Sequence, residues 1–196
     1  YGCRVTTTTI SQAQYDFARE RIEAAGLADR ITLLLEDYRA LQGQYDKLVS
    51  IEMIEAVGAE FQQTYFETCN RLLRPGGLAL IQAITIREDL YENYLANTDF
   101  IRQYIFPGGC LPTVTRMKQL TREFTDLELV AMTDITLDYA RTLSHWRQRF
   151  LFNIRRVMAM GFDLPFIRMW EFYFCYCEGG FLESSLGTQQ LLFCKS

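Results

Sequence analysis

The segment "LALIQAITI", Leu78–Ile86, places a near-continuous apolar run directly after the helix-stop and turn sequence "RPGG". A run of this length bounded by turn chemistry reads as a strand buried on both faces. Such a strand needs helices above and below it, which in turn demands an alternating order of elements. That order is present upstream. "CRVTTTT" is β-branched, and Ser11 caps a helical stripe at Ala13, Phe17, Ala18, Ile22 and Ala25 that closes at Gly26. "ITLLLED" and "YDKLVSIEM" read as strands, with a loop or short helix around "YRALQGQ" between them, and "EFQQTYFETCNRLL" as an amphipathic helix. The first 86 residues therefore predict strand, helix, strand, strand, helix, strand, arranged as a parallel sheet.

The rest of the chain differs. Residues 87–126 read as mostly helical with a rigid turn at "FPGGCLP", and "LELVAMTDI" as a strand. From Leu137 to about Phe181 the pattern is helical and aromatic, broken near Gly161 to Pro165, and "TQQLLFCKS" is the last strand. At 196 residues, 49% hydrophobic, the chain fits one domain. A net charge of −4 argues against a nucleic-acid partner. No apolar run reaches the roughly 20 residues that span a bilayer. The six scattered cysteines and the single His145 give no metal-ligand spacing and read as reduced core thiols of a cytosolic protein. There is no GxGxxG and no P-loop, and the single histidine builds no Ser-His-Asp set.

In open α/β sheets ligands bind beyond the carboxyl ends of the strands. The segments to inspect are thus "TTIS", "EDY", "SIEMIEAVG" and "QAIT". Thr8, Thr9 and Ser11 fit either strand and cap roles or ligand contacts, and Asp37 and Tyr38 either an ordinary turn or a site. Glu52 and Glu55 stand at the mouth of the core, where a carboxylate must reach solvent or hold something.

Taken together, "TTISQAQ", "LLLEDYR", "YDKLVSIEMIEAVG", "LRPGG", "FIRQYIFPGGCLP", "DYARTLSHWRQRF" and "FIRMWEFYFCYCEGGF" resemble the cyclopropane-fatty-acid synthases over essentially the whole chain. The resemblance implies an α/β class I methyltransferase domain, Rossmann-like, with sheet order 3-2-1-4-5-7-6. It also implies a helical acyl-pocket insertion at about 137–185. The strands read here are then the second to seventh. Strand one, its glycine-rich turn and an N-terminal cysteine contact are expected upstream of "YGCRVTTTT". The chain alone is expected neither to fold stably nor to bind cofactor.

The implied cofactor is S-adenosylmethionine, with Thr9, Ile10 and Gln14 at the ribose, Asp37 and Tyr38 at the adenine, and Ile51 packed nearby. Glu55, Tyr139 and the Ile84 backbone match groups that hold a bicarbonate ion acting as base. Gln82 stands where part of the family carries a histidine, and cannot become cationic. The implied reaction adds a methylene bridge across the double bond of an unsaturated phospholipid acyl chain. A methyl- or methylene-branched product and an inactive lipid-binding homologue are the alternatives. Expected partners are acyl chains at the membrane surface and a possible homodimer, in a cytoplasmic protein peripheral to the inner membrane. Arg147, Arg149, Arg155 and Arg156 read as a solvated face or an attraction for anionic headgroups.

Overall fold

A computed structural model describes residues 2–196. The chain divides into two compact units, residues 1–44 and 45–196.

In the first unit, β1 (Val5–Thr8) and β2 (Ile31–Leu34) pair in parallel, joined by helix α1 (Gln12–Ala24). The Ser11 hydroxyl accepts from the Gln14 N–H as the sequence predicts. The stripe on α1 is not buried within its unit, however, and Phe17 is exposed with the Arg21 guanidinium over its ring at 5.6 Å. Two four-residue strands are too small a surface to cover a thirteen-residue helix.

The second unit holds a mixed sheet in the order β3–β4–β6–β5, from β3 (Tyr45–Ile51), β4 (Leu73–Ile86), β5 (Leu127–Asp134) and β6 (Leu186–Lys195). β3 runs parallel to β4, and β6 lies antiparallel between β4 and β5. Parallel pairing thus holds where strand and helix alternate, and the late strands supply the antiparallel part. Helices α2 (Gln62–Leu72), α3 (Glu88–Ala96) and α4 (Val114–Phe124) follow β3 and β4. Helices α5 (Thr136–Phe152), α6 (Ile154–Ala159) and α7 (Leu164–Leu182) fill the interval between β5 and β6.

"RPGG" departs from its expected role. It ends α2 but lies inside β4, where the pairing jumps from Tyr45↔Leu73 to Lys47↔Leu78. The four residues bulge out of the ladder, and Gly77 is required there because a Cβ would sit 2.8 Å from the Arg74 carbonyl oxygen. Beyond the bulge, every second residue from Ala79 is buried, so the apolar run does form the interior strand. Tyr65, Phe66, Ile81, Met117, Leu120, Leu191 and Phe193 are fully buried around it. α5 and α7 pair with each other and lie on β6, with a core of Ala140, Leu143, Phe174, Cys177 and Phe181. Ile84 and Tyr139 pack against that core.

All six cysteines are unbridged, but only Cys69, Cys110 and Cys177 are buried; Cys3 and Cys175 are exposed, so the core-thiol expectation holds for half of them. Among the described residues no helix is long and apolar enough to cross a membrane, and no cluster of His, Cys, Asp or Glu could hold a metal ion.

Candidate functional site

The carboxyl end of β3 organises the site. Ile51 is the last strand residue, and the Glu52 N–H still donates to the Gln82 carbonyl at 2.8 Å, closing the ladder with β4. Glu52 then takes φ 53, a left-handed backbone that few L-residues adopt. The chain turns through the short 3-10 helix Ile54–Ala56, anchored by the fully buried Ile54. Two carboxylates three places apart thereby reach different surroundings.

Glu55 is enclosed. One carboxyl oxygen accepts from the Ile84 N–H on β4, and the other is buried with no hydrogen-bond partner. Burial raises its pKa to about 7, opposed by the backbone donors and assisted by the nearby Glu52 charge. Its own carbonyl accepts from the Cys110 N–H at 2.7 Å, which ties the "FPGGCLP" turn to the site. Gly109 suits the turn itself, since a Cβ there would stand 3.1 Å from the Phe106 carbonyl oxygen.

Glu52 is the member that sequence reasoning left without a role. It is half-buried, and both oxygens accept: Oε1 from Gln82 Nε2 at 2.8 Å, Oε2 from the Tyr139 hydroxyl at 2.7 Å. Gln82 pairs across the sheet with Gln190, whose Nε2 donates to Gln82 Oε1 at 2.9 Å. That bond fixes the Gln82 amide so that its N–H₂ group faces Glu52. Burial first, and the bond to Glu52 second, hold the Tyr139 phenol well above its ordinary range. Burial, with lesser contributions from Cys177 and Glu52, also pushes the Tyr173 phenol up to about 12. The Tyr139 ring lies 4.8 Å from Phe181 of α7, tilted at 41° to it. The signal in the sequence is a carboxylate directly after an apolar strand, one residue past the rung that pairs Ile51 with Gln82.

The expected catalytic set is therefore brought together: Glu55, Tyr139, Gln82 and Ile84 meet at the end of β3 and β4, with Glu52 among them. The expected bicarbonate does not fit this set. The Tyr139 hydroxyl and the Gln82 amide are engaged by Glu52, and the Ile84 N–H by Glu55. A further anion would stand beside chain carboxylates to which no cationic side chain is paired among the described residues. His145 is exposed and makes no part of it.

The strand ends of the first unit carry the expected nucleoside residues. The Thr9 hydroxyl donates to Gln14 Oε1 at 2.8 Å, which leaves the Gln14 amide N–H₂ to donate to a hydroxyl. Ile10 is 79% exposed beside it, and an apolar surface bared at a strand end suits a flat ring or a ribose edge. Asp37 caps the 3-10 turn Tyr38–Ala40, and its two oxygens accept from Arg39 Nε and a terminal guanidinium nitrogen at 2.9 and 2.8 Å. This pairing lowers its pKa to about 2. A carboxylate oxygen has a second lone pair, so Asp37 can still accept from an exocyclic amine, in competition with Arg39. Ile51, in the second unit, is 52% exposed and equally suited to packing on a ligand. The groups of the first unit, taken by themselves, fit the nucleoside of S-adenosylmethionine.

Of the four arginines, Arg147 is drawn into a half-buried ion pair with Glu178 at 3.2 Å. Arg149, Arg155 and Arg156 stay exposed at the α5–α7 end, among the exposed Phe152, Met158, Met160 and Phe162.

Residues 1–191 match the family described as mycolic acid cyclopropane synthetase. The chain is 40% identical over 189 residues to the tuberculostearic acid methyltransferase of Mycobacterium tuberculosis, covering 96% of this chain and 44% of that protein. It is 34% identical over 197 residues to the cyclopropane-fatty-acyl-phospholipid synthase of Escherichia coli, covering all of this chain and 48% of that one. The chain spans about half the length of these curated relatives. A crystal structure of a mycolic acid cyclopropane synthase complexed with SAH and CTAB superposes with a TM-score of 0.91 at 22% identity, covering the whole chain and 71% of that structure. The class I methyltransferase fold expected from the sequence is thereby met; the full seven-strand order is not tested by the strands described.

Proposed function

Because the chain belongs to the mycolic acid cyclopropane synthetase family, we propose that it transfers one carbon from S-adenosylmethionine to the double bond of an unsaturated phospholipid acyl chain, closing a cyclopropane ring. The observation that supports this most directly is the pair of unequal carboxylates under Tyr139, one enclosed and one held by two donors. When bound, S-adenosylmethionine supplies an electrophilic methyl group. The residues of the chain need only receive the alkene, shield the positive charge that develops on the acyl carbon, and take up a proton.

Each of these tasks has a candidate. The faces of Tyr139 and Tyr173, with Phe181 behind, are electron-rich surfaces for a carbocation. Glu55, with a pKa near 7 and one unpartnered oxygen, presents a carboxyl group able to donate a hydrogen bond in the dry interior. The α5–α7 layer is aromatic and closes over the ends of β4 and β6, which suits an apolar tail. The exposed Phe152, Met160 and neighbouring arginines offer a basic, apolar tip for an anionic bilayer surface, in keeping with a peripheral membrane enzyme. In the first unit, Gln14 and Asp37 are the groups proposed for the nucleoside.

A second reading keeps the first bond and changes the last step, so that proton loss gives a methylene-branched chain or a methyl-branched chain that keeps a double bond beside the branch. Glu52 and Gln82 favour it, because a different base geometry changes which proton is lost, and the relative at 40% identity is a tuberculostearic acid methyltransferase. The test is turnover of unsaturated phospholipid vesicles by the full-length protein with S-adenosylmethionine. Both products gain the same mass, so NMR of the isolated lipid decides: ring protons support the first reading and an exocyclic methylene or branch methyl the second. Methylation confined to oxygen or nitrogen would reject both.

A further inference from the structure

Glu52 carries an inference that rests on the proposed carbon methylation and deepens it. Its left-handed backbone costs an L-residue on the order of 1 kcal/mol or more, and a glycine would stand there without cost. What the geometry achieves is aim. The carboxylate leaves the end of β3 and receives one donor on each oxygen, from residues 30 and 87 places away in the chain. Both donors are themselves held, Gln82 by Gln190 across the sheet and Tyr139 by its packing on Phe181. Two donors on an acceptor-only group is the pattern of an ionised carboxylate. No ion pair among the described residues involves Glu52 or Glu55, so the charge is not neutralised in the resting site.

The site thus already contains an oxyanion, covalently part of the chain, on the hydroxyl and amide donors that a bound ion would have needed. We propose that the Glu52 carboxylate is the general base of the reaction and takes the place of bicarbonate. The alkene π pair forms the new carbon–carbon bond to the methyl carbon, and the sulfur–carbon pair returns to sulfur. Positive charge is left on the adjacent acyl carbon, within the field of the Glu52 charge. A C–H pair of the new methyl then closes onto that carbon, or onto the cation after a hydride shift, and the proton passes to a Glu52 oxygen. Glu52 ends as a carboxylic acid and returns its proton to water as product leaves. Gln82 is a positioning residue in this scheme, and the Tyr139 hydroxyl positions Glu52 while its ring faces the cation. Glu55, enclosed and inclined to keep its proton, is the neutral partner, so two carboxyl groups of one loop are separated into base and acid by their surroundings.

The test uses the full-length protein, S-adenosylmethionine and vesicles of a monounsaturated phospholipid, with S-adenosylhomocysteine release followed in carbon-dioxide-free buffer. Wild-type turnover is expected to be the same with and without added bicarbonate. Glu52→Gln is expected to lower kcat by about 10²–10⁴-fold with S-adenosylmethionine affinity, measured by calorimetry, unchanged. Glu52→Gly relieves the backbone and opens space, and its low rate is expected to rise on adding formate or bicarbonate, a rescue that a structural role would not show. A wild-type rate that collapses without bicarbonate, or Glu52→Gln turning over at the wild-type rate, would overturn the proposal. Absence of release from wild-type protein on every unsaturated lipid, in either buffer, removes the methylation reading and the inference with it.

Discussion

In residues 1–44 the side chains beyond the strands bond close by in the chain: Thr9 to Gln14, Asp37 to Arg39. Thr8, which reaches the Glu36 carbonyl, is the exception, and it does so across the adjacent β2. In residues 45–196 the corresponding positions bond at a distance: Glu52 to Gln82 and Tyr139, Gln82 to Gln190, Glu55 to Ile84. The first group bonds at the surface, with Gln14 and Arg39 exposed and Thr9 and Asp37 only partly covered, and the second is half-buried or enclosed. Burial is what makes the difference chemical. A carboxylate in water keeps or lowers its pKa when an arginine pairs with it, as Asp37 does. A carboxylate in the interior must be neutral or be given donors, and Glu55 and Glu52 take one course each.

Beside Glu52, the contrast can be broken most severely at Glu55. Glu55→Gln removes the titrating group and is expected to lower kcat by about 10²–10³-fold. Its raised pKa also has a stability sign. The folded protein binds this proton more tightly than the unfolded chain, so stability falls as pH rises from about 4.5 and levels off above about 7, by roughly 3 kcal/mol in all. Thermal melts of wild type and Glu55→Gln across that window check this: the variant's melting temperature should lose that component of the slope.

Tyr139→Phe keeps the ring and deletes one donor to Glu52. A loss of about 1.5–3 kcal/mol in stability is expected for a bond to a charged group, visible in urea unfolding, with kcat reduced about tenfold or more. Gln190→Leu leaves Glu52 untouched and frees the Gln82 amide to turn. It is expected to cost about 1 kcal/mol, with kcat affected more than KM for S-adenosylmethionine. If Gln190→Leu were kinetically silent, orientation of Gln82 would not matter to the site.

The smallest effect is expected in the first unit. Asp37→Asn breaks an exposed pair and should change stability by no more than about 0.5 kcal/mol at neutral pH, while KM for S-adenosylmethionine rises. The sign is opposite to that of Glu55: the pair's small contribution is present above about pH 4 and is lost as pH falls through about 2. A denaturation series at pH 2–7 separates the two carboxyl groups.

Much of this is legible in the sequence. Alternation of apolar strands and amphipathic helices dictated an α/β fold, because a strand such as Leu78–Ile86 has no other way to bury two apolar faces. Cap and breaker residues placed α1 and the Gly161–Pro165 break between α6 and α7. "RPGG" was misread as a plain turn because a bulge and a turn use the same residues, and only the register of the neighbouring strand tells them apart. Family motifs point to Glu55, Tyr139 and Gln82, while Glu52 stands out in the sequence only as a second carboxylate at the mouth of the core, with no role assigned to it.

What the sequence determined by itself was local: which segments are strands, where helices start, and that two carboxylates follow β3. Tertiary structure decided which of them is paired and with what. The donors to Glu52 come from β4 and α5, and the enclosure of Glu55 comes from β4 and the Cys110 turn. Hydrogen bonds between side chains so far apart in the chain leave no periodicity to read. Proton affinity follows from burial and from partners, and both exist only once the chain has closed on itself.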